Sequence, residues 1–156
     1  MSADITLPQV VLLVAALIAS WTDVTVRRIG NWLSAITLIG GLSYVAVHLG
    51  PGALGSHVGH VLIALAIGMA MFAAGLIGGG DAKFYAAVAA WFPLGAGLSL
   101  FIAVSLSGLA LLIVWFAWRR FKGLPVRRQG AGLSGVPYGV AIAAGALILV
   151  FSRTPS

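Results

Sequence analysis

Six long apolar runs, broken by glycine, proline and arginine, decide which solvent this chain folds in. They lie at Leu7–Thr22, Trp32–Leu49, Gly59–Ile77, Ala82–Phe92, Leu98–Trp118 and Val136–Phe151. Wound as helices, runs of about 20 apolar residues match the roughly 30 Å hydrocarbon core of a bilayer. Of the 156 residues, 61% are hydrophobic and 8% charged, against roughly half and a quarter in a soluble domain. A chain of this size cannot hide that much apolar surface from water. The reading is one all-α, polytopic membrane domain over residues 1–156, with about six transmembrane helices. The fourth run is the shortest and ends at Phe92–Pro93, so the number of crossings depends on it.

The few charges set an orientation. Arg27 and Arg28 follow the first run, Lys83 the third, and Arg119, Arg120, Lys122, Arg127 and Arg128 the fifth. Six crossings put these three connections on one side, and positive connections stay in the cytoplasm. Both termini then face outward. Trp21, Trp32, Trp91, Trp115 and Trp118 fall near run ends, where indoles anchor at the interface. The net charge of +6 is explained by these connections. No nucleic-acid motif accompanies it, so nucleic acid is not an expected partner. The basic connection Arg119–Arg128 suits anionic lipid or a cytoplasmic assembly machinery, and a topology signal alone also explains it. The segment MSADITLP lacks the basic start of a signal peptide. The chain has no cysteine, which excludes disulfides and thiolate chemistry. Gly68, Gly75, Ser105 and Gly108 read as sites of close helix packing.

Only three residues are acidic: Asp4, Asp23 and Asp81. Any acid chemistry must use them. Asp4 reads as a solvated charge in the N-terminal tail. Asp23 follows a run too short to cross, so the first helix should continue toward Arg27 or Arg28 and leave Asp23 about a turn below the surface. A carboxylate at a helix C-terminus opposes the macrodipole. A pair with Arg27 at i,i+4 would explain how it is tolerated. An intramembrane charge more generally faces a cavity or a partner.

Asp81 sits in GGGDAKF, Gly78 to Phe84. An aspartate before a helix is a good cap, and capping alone would account for it. Three glycines in succession add a second reading. Gly78, Gly79 and Gly80 permit unusual backbone angles and close approach of another backbone, as a site for an extended peptide would need. Helices one and four can bring Asp23 and Asp81 together at the cytoplasmic face. Two carboxyls in a low-dielectric cleft share a proton and can serve as acid and base in amide hydrolysis.

At these residues the sequence resembles a known family. GGGD fits the GxGD motif of membrane aspartyl proteases, and GGGDAK is very similar to the form in type IV prepilin peptidases. DVTVRRIGNWLS resembles a second stretch of that family: Asp23, Arg28, Ile29 and Asn31 match, and Gly30 stands where proline is usual. VPYG, Val136 to Gly139, resembles the family's Pro-Phe-Gly segment at the start of the last span. The resemblance implies an inner-membrane aspartic endopeptidase that removes short basic leaders from prepilins at the cytoplasmic face, usually after a glycine. It implies catalysis by Asp23 and Asp81 without metal or organic cofactor. The larger members add a cysteine-bearing N-terminal domain and methylate the new N-terminus. This chain resembles the minimal type that serves tight-adherence (Flp) pili, with no methyltransferase activity expected.

Around the pair, Lys83 reads either as a residue that positions substrate or tunes Asp81, or as a snorkelling interfacial lysine. Asn31 either bonds the Asp23 loop or caps the second helix. Pro137 and Tyr138 read as a helix start. His57 and His60, spaced i,i+3, read with His48 as solvated histidines of an outward connection rather than metal ligands. Two other functions fit paired acids in a membrane: a cation or proton transporter subunit, and a non-catalytic assembly protein. A presenilin-like protease would share only GxGD.

Overall fold

A computed structural model describes residues 6–26, 28–122 and 138–153, and the described residues form six α-helices. They are α1 (Leu7–Thr25), α2 (Asn31–His48), α3 (Pro51–Ala73), α4 (Gly79–Ala89), α5 (Gly97–Phe121) and α6 (Tyr138–Ser152), with a 3-10 turn at Leu94–Ala96 before α5. Among the described residues three spans are long and apolar enough to cross a bilayer: Leu7–Thr25, Pro51–Ala73 and Leu94–Phe121. On α5 only Leu100 is buried, while Leu98, Ile102, Leu106, Leu109 and Ile113 are exposed around it. A helix apolar on every side and open on most of them has lipid as its solvent. The protein is an all-helical membrane protein.

Local chemistry sets the helix ends. Thr6 caps α1, and the Gln9 side chain returns to accept the Thr6 N–H at 2.7 Å, a capping-box arrangement. The helix runs past Thr22 to Thr25, as its length demanded. Pro51 starts α3 directly after Gly50, whose φ of 82° turns the chain. Proline costs a first turn nothing, since its missing N–H has no intrahelical partner there. The third helix therefore begins at Pro51, well before Gly59.

That earlier start corrects the reading of the histidines. His57 and His60 are buried on α3. The His57 ring nitrogen Nδ1 donates to the Ala90 carbonyl and His60 Nδ1 to the Phe92 carbonyl, each at 2.9 Å. A carbonyl oxygen only accepts, so Nδ1 of each ring carries a proton. Ser56 Oγ accepts the Leu94 N–H at 3.0 Å beside them. These partners are needed because α4 stops early. Its 11 residues rise only about 16 Å, roughly half the hydrocarbon core, and the carbonyls of Ala90 and Phe92 just beyond its end would otherwise be unpaired away from water. Replacing either histidine by leucine should cost about 1–3 kcal/mol through the orphaned carbonyl. Melting of the purified variants in one detergent checks it, and an unchanged midpoint would contradict the capping role.

Helix α4 is short but central. It packs against α3, α2 and α6, and Ala82, Phe84 and Ala86 to Ala89 are buried. Small residues allow this. A Cβ on Gly68 of α3 would stand 3.0 Å from the Ala82 Cβ and 3.3 Å from its Cα, so the packing role read for Gly68 holds. Trp91, expected at the interface, is instead buried beside Gly41. Its indole N–H donates to the Thr37 carbonyl at 2.9 Å, and its ring stacks on Tyr44. A tryptophan enters a core when its N–H finds an acceptor. Trp21, Trp32 and Trp118 are exposed.

Gly75 is also reassigned, from helix packing to helix termination. It has a φ of 73°. Its N–H bonds the Phe72 carbonyl and the Leu76 N–H bonds the Met71 carbonyl, both at 2.9 Å. This is the Schellman arrangement, which a left-handed glycine permits.

Candidate active site

Asp23 lies in the last turn of α1, the end of a helix dipole least hospitable to a carboxylate. Its oxygen Oδ2 accepts the backbone N–H of Gly139 at 2.7 Å. Gly139 is the second residue of α6, so one helix's first turn answers the acid at another's last. The distance is that of a charge-assisted bond. The proposed partner Arg27 falls outside the described residues, as do Asp4, Val136 and Pro137. Tyr138 opens α6, in keeping with a helix start there.

Asp81 is half-buried in the first turn of α4, after the N-cap Gly78. Its position near the dipole's positive end is the favourable one. The three glycines do less turning than expected. Gly78 is extended at φ −74°, Gly79 and Gly80 are already helical, and among the described residues only Gly50 and Gly75 have positive φ. The turn was made earlier, at Gly75. What the triplet supplies is proximity. A Cβ on Gly78 would stand 2.7 Å from Asp81 Oδ2, one on Gly79 would meet the Phe72 ring at 3.4 Å, and one on Gly80 would meet the Ile29 carbonyl oxygen at 3.4 Å.

Ile29 joins the two halves. It is buried, its backbone lies against Gly80, and a Cβ on Gly139 would stand 2.8 Å from its Cδ1. The segment after α1 is thus wedged between the glycine preceding Asp81 and the one that holds Asp23. Helix α6 contacts both α1 and α4, and Asp23 and Asp81 lie close enough for a direct electrostatic interaction. Nearby, exposed Lys83 donates to the Asn31 side-chain oxygen at 3.3 Å. Asn31 also begins α2, so this bond ties the start of α2 to the first turns of α4, two residues after Asp81. Among the described residues no group of three or more His, Cys, Asp or Glu side chains could hold a metal.

Two details had no signal in the sequence. A backbone N–H donor such as that of Gly139 carries no side-chain signature, although VPYG marked the place. Ile29 read as a family match without a role.

Two carboxyl groups drawn from separate helices, linked through Ile29 and Gly139 at one end of an all-helical membrane bundle, define a class of membrane-embedded acid sites. The sequence profile of the type IV leader peptidase family matches residues 10–113, a span that includes both acids. The chain belongs to that family. Neither a search among curated proteins nor one among solved structures returns a match.

Proposed function

We propose that the protein is an aspartic endopeptidase that removes basic leader peptides from type IV prepilins of the Flp kind at the cytoplasmic face of a bacterial inner membrane. The observation that carries this reading is that Ile29 packs against both Gly80, beside Asp81, and Gly139, whose N–H bonds Asp23, so that α1 and α4 bring their acids to one end of the bundle, in a chain of the leader peptidase family. In a low-dielectric cleft such a pair shares one proton. The ionised carboxylate takes a proton from water as the oxygen attacks the amide carbonyl carbon. The protonated partner donates to the carbonyl oxygen and, as the C–N bond breaks, a proton passes to the leaving amine. A coupled pair titrates as a unit, so the two roles belong to the dyad rather than to one named member.

Exposed apolar side chains flank the same end: Trp21 and Val24 on α1, Trp32 on α2, and Phe72 and Leu76 around the end of α3. They suit a substrate whose mature part is an apolar helix held in the bilayer. The basic connections support a cytoplasmic location for this end, with both termini outward. The proposed chemistry needs neither metal nor methyl donor.

The test is co-expression with a prepilin carrying a basic leader, followed by intact mass of the pilin. A shortened product with one new N-terminus, lacking any added methyl mass, is expected. A precursor that stays full length beside abundant, folded protein would contradict the proposal.

A further inference from the structure

We propose that Gly139 is a positioning residue for Asp23: its backbone N–H and its missing side chain together hold that carboxylate toward Asp81. The inference rests on the aspartic peptidase reading and adds to it a residue beyond the stretch matched by the family profile.

Three observations carry it. The first is the bond itself, 2.7 Å from the Gly139 nitrogen to Asp23 Oδ2. A carboxylate at the C-terminal end of α1 has only carbonyls ahead of it along its own helix, so a donor must come from elsewhere. The first turn of α6 presents a free N–H. The second is space. A Cβ at 139 would stand 2.8 Å from Asp23 Oδ2, 3.2 Å from Asp23 Cβ and 2.8 Å from Ile29 Cδ1. Any side chain there must displace the carboxylate, Ile29 or α6. The third is that the backbone does not call for glycine. Gly139 is helical and without positive φ, and alanine forms helix better. What glycine supplies at this position is the absence of a Cβ.

Gly145, two turns along the same helix, marks the contrast. A Cβ there would stand 2.6 Å from the Val104 Cα and backbone nitrogen, so its role is to let α5 and α6 touch. One glycine of α6 fits a helix backbone, the other a carboxylate.

The experiment uses the full chain, purified in detergent, with a prepilin bearing a basic leader as substrate. Gly139→Ala should accumulate and melt like the parent while kcat falls about 10–100-fold, the scale expected for a misplaced reacting group, with KM unchanged. Gly145→Ala should instead lose accumulation. If Gly139→Ala does not accumulate, the double variant Gly139→Ala, Ile29→Val removes the methyl the new Cβ would strike. It should recover accumulation without recovering turnover. Parental kcat in Gly139→Ala, or in the double variant, overturns the proposal. So does failure of both to accumulate, which would make Gly139 a packing residue. Asp23→Asn separates the two levels: if it cleaves normally the peptidase reading fails, whereas an inactive Asp23→Asn beside a fully active Gly139→Ala leaves that reading standing and removes only the role of Gly139.

Discussion

Asparagine in place of Asp81 should leave the protein folded in the membrane and lower precursor cleavage by about 10²–10⁴-fold, the usual contribution of a general acid or base. The substitution is chosen because it separates catalysis from capping. Asp81 lies in the first turn of α4 behind the N-cap Gly78, and an amide of the same shape serves the end of a helix almost as well as a carboxylate. Its oxygen still accepts a hydrogen bond, and the close space above Gly78 is filled as before. What asparagine cannot do is carry a proton between water and the scissile amide. A residue that only caps α4 would therefore tolerate the change, and a member of the dyad would not. Initial rates on a prepilin, with membrane abundance and melting measured in parallel, distinguish the two. Unchanged cleavage would return Asp81 to the role of a cap.

The second large effect is expected at Gly68→Leu. Ala82 follows Asp81 directly and is fully buried against Gly68 across the contact between α3 and α4. A leucine there has no rotamer that avoids α4, because a backbone atom already stands within 3.3 Å of the first side-chain carbon. Overpacking of this kind typically costs about 1–3 kcal/mol. Here the strain cannot dissipate sideways, since α4 is also held by α2, by α6 and by the two histidines at its far end. The variant should accumulate poorly, and the fraction that folds should cleave slowly because Asp81 moves with Ala82. Normal accumulation with parental turnover would show that α4 is less tightly clamped than the packing indicates.

The parts of this architecture that could be read from sequence are those governed by composition and scarcity. With three acids in the chain, Asp23 and Asp81 stood out without geometry, and the short first run announced that α1 continues past Thr22. The fourth run could be seen as a short helix, but not as an enclosed one. Its depth is fixed by bonds from His57 and His60 and by the Trp91 indole bonding to Thr37, all contacts between residues far apart in sequence. The same cause misplaced those side chains, because a histidine near a proline and a tryptophan near a run end look solvated or interfacial until a carbonyl partner appears. The glycine triplet misled in a different way. Consecutive glycines suggest unusual backbone angles, yet the positive φ nearest them belongs to Gly75, and the triplet's use is close contact with Phe72, Ile29 and Asp81. Sequence shows where a Cβ is missing, and only packing shows what would have met it.

If Asp23 and Asp81 act as one catalytic unit, a double-mutant cycle on turnover will reveal it. Asp23→Asn, Asp81→Asn and the double variant are purified, checked for folding by melting, and assayed on the same prepilin. Residues that share one proton and one reaction step lose the same function once either is removed. Each single variant should lose about 10²–10⁴-fold, and the double variant should be no slower than the slower single. Losses that multiply in the double variant, or a single variant that cleaves at the parental rate, would contradict a shared catalytic unit.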